Sequence, residues 1–238
     1  MPITALSFDL DGTLVDTAPE IAEAVNRLLA EFRLPLLSEA LITRQVGAGI
    51  EVLLQRVIDE VRFIDPAGAA RIPHARLLQR LRVHYDATAG SRQCAYPGAV
   101  AALAALKSGG IRLACLTNKD SRYARRVLHT NGLGDCFELL VGGDSLPVRK
   151  PHAGAVHHVL ETSGVGAGSF AHVGDSSTDI AAARNAGVAA WVLPHGYNCG
   201  VPIRLAGPDR IFDSLAAVAA HVLGECRAGA VAENLAIG

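Results

Sequence analysis

Long apolar runs are missing from this 238-residue chain, although half of its residues are hydrophobic. No run approaches the roughly 18 residues needed to cross a bilayer, so no membrane span is expected. Cysteines are few and scattered: Cys94, Cys115, Cys136, Cys199 and Cys226 form no Cys-x-x-Cys pair. That spacing argues against structural zinc and a disulfide framework, and free thiols in a reducing cytoplasm are the expectation. A formal charge of −1 gives no reason to expect nucleic acid or an anionic membrane as partner. The first twenty residues hold no basic residue and are not expected to act as a signal peptide. Lysine is confined to Lys107, Lys119 and Lys150.

What the chain does have is a concentrated start. Ile3, Leu6 and Phe8 make a short apolar run of strand length, which then meets Asp9-Leu10-Asp11-Gly12-Thr13-Leu14-Val15-Asp16. A strand that ends abruptly in acids places them at its carboxyl end, where open α/β sheets keep their ligands. Asp9 and Asp11 lie two residues apart, so in extended geometry both side chains leave the backbone on one side. Gly12 permits a sharp turn behind them.

Thr17-Ala18-Pro19-Glu20 reads as a capping box with proline in the first turn. Asp16, just ahead of it, is expected to be a polar flanking residue and not a catalytic one. Apolar positions then recur at helical spacing as far as about Ala87, and nothing between Thr17 and Gln93 reads as a strand. From Tyr96-Pro97-Gly98 onward helices alternate with short apolar strands, expected over Ile111–Leu116, Leu139–Val141, Phe170–Val173, Ala190–Leu193 and Ile211–Phe212. A helix carrying Val100, Leu103 and Leu106 stops at Gly109-Gly110, and another bears the basic residues Arg122, Arg125 and Arg126. Alternation of this kind implies parallel strands with right-handed crossovers, hence a doubly wound, mostly parallel Rossmann-like sheet with an inserted all-helical cap. The expected division is a core over 1–16 and 94–223, a cap over 17–93 and a tail over 224–238.

Three strands end in polar residues suited to phosphate chemistry: Asp9-x-Asp11, Thr117-Asn118 and Gly174-Asp175-x-x-x-Asp179, with Lys150-Pro151 between the last two. Each is weak alone, since Thr117 could cap a helix, Lys150 could sit in a loop and Asp175 to Asp179 could open a helix. In this order the four motifs resemble those of the haloacid dehalogenase superfamily. The resemblance implies that Asp9 attacks phosphorus and forms an aspartyl-phosphate. Asp11 would serve as general acid and then base, Thr117 and the backbone of Asn118 would hold phosphoryl oxygens, and Lys150 would neutralise their charge. It also implies Mg²⁺ bound by Asp9, Asp175 and the backbone carbonyl of Asp11, with Asp179 in support. Elementary chemistry agrees, because phosphoryl transfer needs positioning and charge neutralisation, and clustered carboxylates attract a hard cation. Neighbouring negative charge is expected to favour the protonated form of Asp11.

Within the superfamily, Asp11 speaks against dehalogenases, which have no use for a second acid. The absence of lysine from the cap excludes Schiff-base cleavage of phosphonates, and Thr13 is unlike the Val or Ile usual in sugar-phosphate mutases. The stretches Val46-Gly47-Ala48-Gly49, Gly142 to Pro147, Lys150-Pro151-His152 and Gly196 to Ile203 resemble the phosphoglycolate phosphatases over about Leu6 to Leu223. The substrate so implied is 2-phosphoglycolate; alternatives are another small phosphomonoester or pyrophosphate and, distantly, a non-catalytic phosphate-binding module. Arg44 and the Gly47 loop are candidates for the substrate carboxylate, with a solvated helix position as the other reading of Arg44. His157, His158 and His172 are expected to pack or face solvent, and Trp191 to lie in the core. Oligomeric state is not legible.

Overall fold

The computed structural model describes residues 2–224. Apart from Gly224, the expected tail lies outside the described residues. Six parallel strands form one sheet in the order β3-β2-β1-β4-β5-β6. They are β1 (Ala5–Phe8), β2 (Arg112–Leu116), β3 (Leu139–Val141), β4 (Phe170–Gly174), β5 (Ala189–Val192) and β6 (Arg210–Ile211). Every strand falls on an expected run, within a residue or two.

The central strand shows why the sequence folds this way. All four residues of β1 are buried, as expected for a parallel strand covered on both faces. Leu6 and Phe8 enter one apolar cluster with Leu103, Leu106 and Val127, while Ala5 enters another with Val156, Val159 and Ile180. These partners come from α6 (Ala99–Ser108) and α7 (Ser121–Thr130) on one side, and from α8 (Ala153–Ser163) and α9 (Ser177–Asn185) on the other. Of the helix residues Val100, Leu103 and Leu106, the last two are buried but Val100 is 46% exposed; Ala99 and Ala102 complete the buried face. Trp191 is buried as expected and packs against Phe212 with ring centroids 5.2 Å apart. Strand β1 pairs with β2 on one edge and β4 on the other. The chain therefore winds in opposite directions from β1, and the crevice beyond the carboxyl ends of β1, β2 and β4 is the topological switch point.

Over that crevice stands the helical insertion: α1 (Ala18–Glu31), α2 (Glu39–Thr43), α3 (Ile50–Ile64), α4 (Pro66–Ala70) and α5 (His74–Thr88). It has its own core, in which Leu28, Leu54, Val57 and Leu81 are almost fully buried. Tyr123 of α7 enters this same cluster, its ring 4.5 Å from that of Tyr85. No described helix is long and apolar enough to cross a membrane. The four described cysteines are free.

The capping box expected at Thr17 does not form. Thr17 makes no side-chain cap bond; its hydroxyl donates to Asp11 Oδ1 at 2.7 Å. Buried Glu20 turns instead to the return linker, accepting the backbone N–H groups of Gly90 at 2.9 Å and Arg92 at 2.7 Å. Thr17 is drawn from the helix end by Asp11 and Glu20 by the distant Gly90 and Arg92, and these bonds outweigh a local reciprocal cap. The linkers also bond each other directly, through Asp16 N to Cys94 O at 2.8 Å and Tyr96 N to Leu14 O at 2.9 Å. Replacing Glu20 by Ala strands two N–H donors. It is expected to cost about 2–4 kcal/mol and to lower Tm by roughly 5–10 °C, measured by differential scanning calorimetry.

Candidate active site

Strand β1 delivers Asp9, β2 is followed by Thr117 and Asn118, and β4 ends at Gly174 immediately before Asp175. Asp9, Asp175 and Asp179 are buried, and one oxygen from each lies within 4.8 Å of the others. Gly12 has φ +83° and makes the turn behind Asp11; a Cβ there would come within 2.6 Å of Asp175 Oδ2. A Cβ on Gly174 would come within 2.2 Å of Asp179 Cγ. The acids pack so closely against backbone that side chains are excluded from both positions.

The three carboxylates are held differently. Asp9 Oδ1 accepts from Leu10 N at 2.7 Å and lies 3.0 Å from Lys150 Nζ, while Asp9 Oδ2 has no donor among the described residues. Asp175 accepts the Thr13 hydroxyl at 2.6 Å on Oδ1 and Tyr197 N at 2.5 Å on Oδ2. Asp179 is the most heavily bonded. Its Oδ1 meets Lys150 Nζ at 2.7 Å and His172 Nε2 at 3.1 Å. Its Oδ2 takes Asp175 N, Ser176 N and Ser176 Oγ at 3.3, 3.1 and 2.6 Å. With both oxygens so occupied, Asp179 is built to position its neighbours, whereas Asp9 and Asp175 keep oxygen lone pairs free for a cation.

Electrostatics divide them in the same way. Burial pushes the Asp9 carboxyl above the ordinary range despite Lys150. Burial, with the charges of Asp179 and Asp9, raises Asp175 well above it. For Asp179 burial acts in the same direction, but Lys150 and His172 overcome it and hold the group low. Burial also works against the charge of Lys150, yet Asp179 and Asp9 raise its pKa. A dry cluster of three acids answered by one lysine favours a further cation, and hard oxygen donors suit Mg²⁺-like ions.

Beside this cluster a cavity is lined by Asp9, Asp11, Thr117, Asn118 and Lys119 from the core. Val46, Gly47, Gly49, Ile50, Leu53 and Tyr85 line it from the helical block. It leaves ≈ 40 Å³ for the centre of a water-sized sphere, room for a few waters at about 10–15 Å³ each. Asn118 Nδ2 donates to Gly47 O at 3.0 Å and to Lys150 O at 2.9 Å, joining the cap loop to the core. Its Oδ1 is buried with no partner. Gly47 is thus at the cavity. Arg44 is not: it is exposed and lines a different hollow with Gly196, Asn198 and Gly200.

Several residues make contacts around the cluster that carry no signal in sequence. Lys119, whose side chain is only 2% exposed, pairs with Asp11 Oδ1 at 2.6 Å and lies 5.1 Å from the centre of the Tyr85 ring. Asp11 was expected to feel neighbouring negative charge; Asp9 supplies it, while the hydrogen-bond partners of Asp11 are the Lys119 ammonium and the Thr17 hydroxyl. His172 is buried as expected, but it also links Ser7 Oγ at 2.7 Å to Asp179. Tyr197 joins Asp175 to the linker that enters the helical block, since its hydroxyl donates to Asp16 and accepts Ala18 N at 2.9 Å. His157 is exposed and His158 half-buried, away from the acids.

An acid cluster at the switch point of a doubly wound sheet, roofed by a helical lid, defines a hydrolase architecture with an aspartate at its centre. Residues 3–187 match the model of the haloacid dehalogenase-like hydrolases. The chain is 39% identical to a plasmid-encoded phosphoglycolate phosphatase of Cupriavidus necator, over 92% of this chain and 93% of that one. It is 36% identical to a phosphoglycolate phosphatase of Thiobacillus denitrificans, over 93% and 96%. The crystal structure of a predicted phosphoglycolate phosphatase from Haemophilus somnus superposes with a TM-score of 0.83 at 34% identity, covering 91% of this chain and 96% of that one. The chain belongs to the haloacid dehalogenase-like hydrolases and, among them, to the phosphoglycolate phosphatase family.

Lys150→Met leaves Asp9 and Asp179 buried without their cation. Urea denaturation of the variant is expected to show a loss of about 3–5 kcal/mol, as for one-sided removal of a buried ion pair. Combining it with Asp179→Asn should cost less than the sum of the single changes, because the uncompensated charge is then gone.

Proposed function

We propose that the chain hydrolyses 2-phosphoglycolate to glycolate and phosphate through an aspartyl-phosphate on Asp9. The observation that carries this reading is the state of Asp9. One oxygen is fixed by Leu10 N and Lys150, while the other is without a donor among the described residues, and Asp9 lines the cavity under the cap. A held carboxylate with one free oxygen is what in-line attack on phosphorus requires.

In the first half-reaction Asp9 Oδ2 forms a bond to phosphorus while the bond from phosphorus to the glycolate oxygen breaks. Asp11, held through Oδ1 by Thr17 and Lys119, gives that oxygen its proton from Oδ2. In the second, Asp11 takes a proton from water as the water oxygen attacks phosphorus, the Asp9–phosphorus bond breaks and phosphate is released. Thr117 and the Asn118 backbone hold phosphoryl oxygens, and Lys150 offsets their charge. Mg²⁺ held by Asp9, Asp175 and the Asp11 carbonyl would neutralise charge on the transferring group when bound. Burial of this cluster under the cap excludes bulk water, which strengthens each of these interactions. The free thiols suit a cytoplasmic enzyme.

Phosphate release from 2-phosphoglycolate beside a panel of small phosphomonoesters and pyrophosphate, with Mg²⁺ and with EDTA, tests the proposal. A Mg²⁺-dependent rate on 2-phosphoglycolate far above the panel is expected, and Asp9→Asn should abolish it without unfolding the chain. A flat profile would move the substrate elsewhere, and turnover by Asp9→Asn would remove the nucleophile.

The pH dependence of metal stabilisation is a separate check. Asp9 and Asp175 are raised in the folded, metal-free chain. Their contribution to stability is therefore full below the ordinary carboxylate pKa and is lost as pH rises through the raised values. Asp179 is held low and stays ionised throughout that window. The rise in Tm on adding Mg²⁺ should accordingly be larger at about pH 8 than at about pH 5.

A further inference from the structure

Resting on that reading of the site, we infer that Lys119 is the specificity-determining residue, receiving the carboxylate carried by the leaving group. Lys119 is the only cation among the residues lining the cavity. Lys150 is committed to Asp9 and Asp179. Arg44 lines another hollow, and Arg149 abuts Gly49 without lining the cavity. An ammonium group has three hydrogens to donate. Asp11 takes one at 2.6 Å, Tyr85 is the second neighbour, and no other described residue takes the third.

The position follows the covalent structure of the substrate. In 2-phosphoglycolate the bridging oxygen and the carboxylate are attached to adjacent carbons. An oxygen placed to receive a proton from Asp11 therefore carries its carboxylate to the group beside Asp11, which is Lys119. The rest of the wall is apolar, contributed by Ile21, Val46, Ile50 and Leu53. Without Lys119 a carboxylate there would be buried unpaired, which is strongly unfavourable. With it, the pair is charge-assisted in a site of low polarity. The small cavity restricts the class to short α-phosphooxy carboxylates.

The test compares 2-phosphoglycolate with 2-hydroxyethyl phosphate, which replaces the carboxylate by a neutral alcohol, in the wild type, Lys119→Met and Lys119→Arg. Lys119→Gln is the neutral substitute should the Met variant not fold by circular dichroism. The wild type should prefer the acid. The neutral variants should lose that preference by roughly 10- to 150-fold, mainly through KM for 2-phosphoglycolate. Any fall in kcat from the loosened Asp11 should be shared by both substrates. Lys119→Arg should restore part of the preference. An equal loss on both substrates, with the ratio intact, would overturn the inference and leave Lys119 as a support for Asp11 alone. So would collapse of the ratio in Arg44→Ala or Arg149→Ala with no change in Lys119→Met. Absence of 2-phosphoglycolate turnover in the wild type would overturn the substrate reading itself, a failure seen before any variant is made.

Discussion

The structure depends on how much negative charge can be kept out of water at one point. Asp9, Asp175 and Asp179 are buried together, and like charges at such range do not all ionise unaided. Lys150 answers two of them at 3.0 and 2.7 Å. His172, seated between Ser7 and Asp179, adds a further polar partner. The result is uneven by design of the surroundings. Asp179 is saturated with donors and low in pKa, while Asp9 and Asp175 are raised and under-bonded. That inequality separates a carboxylate saturated with donors from two that keep lone pairs free for a cation, and the proposed role of Asp9 rests on it.

A second cation divides the work. Lys150 lies at the floor of the cluster, and Lys119 faces the cavity with Asp11, beneath Tyr85 of the cap. Cap and core thus meet on polar contacts as well as apolar ones. Asn118 bridges the Gly47 loop and Lys150, Glu20 clasps the return linker, and Tyr197 ties the entering linker at Asp16 and Ala18 to the Asp175 carboxylate. A cap attached in this way shapes the cavity with the same residues that hold the acids.

The strands and the four motifs were legible in the sequence because both are local: apolar runs that end in acids or a threonine, and polar residues at short, fixed spacings. The helical block was legible from its period alone. Thr17 to Glu20 misled because the cap signature is satisfied by residue type, whereas the bonds are decided by Gly90, Arg92 and Asp11, which only the fold brings near. Lys119 directly follows the Thr117-Asn118 motif, and nothing local says that its side chain turns to Asp11. His172 was expected to pack or to face solvent; it is buried, and its link to Ser7 needs the register of β1 and β4, in which the two residues are partners. Thr13 and Tyr197 were noticed as family resemblance; their bonds to Asp175 supply the physical reason for them.

Borohydride trapping of the reacting chain tests the central claim most directly. The chain is mixed with 2-phosphoglycolate and Mg²⁺, quenched and reduced, so that an acyl-phosphate on aspartate is converted to homoserine and located by peptide mass spectrometry. The account predicts homoserine at position 9 and none at position 11. Steady phosphate release with no reduced residue at position 9 would contradict it, and would mean that water attacks the substrate directly.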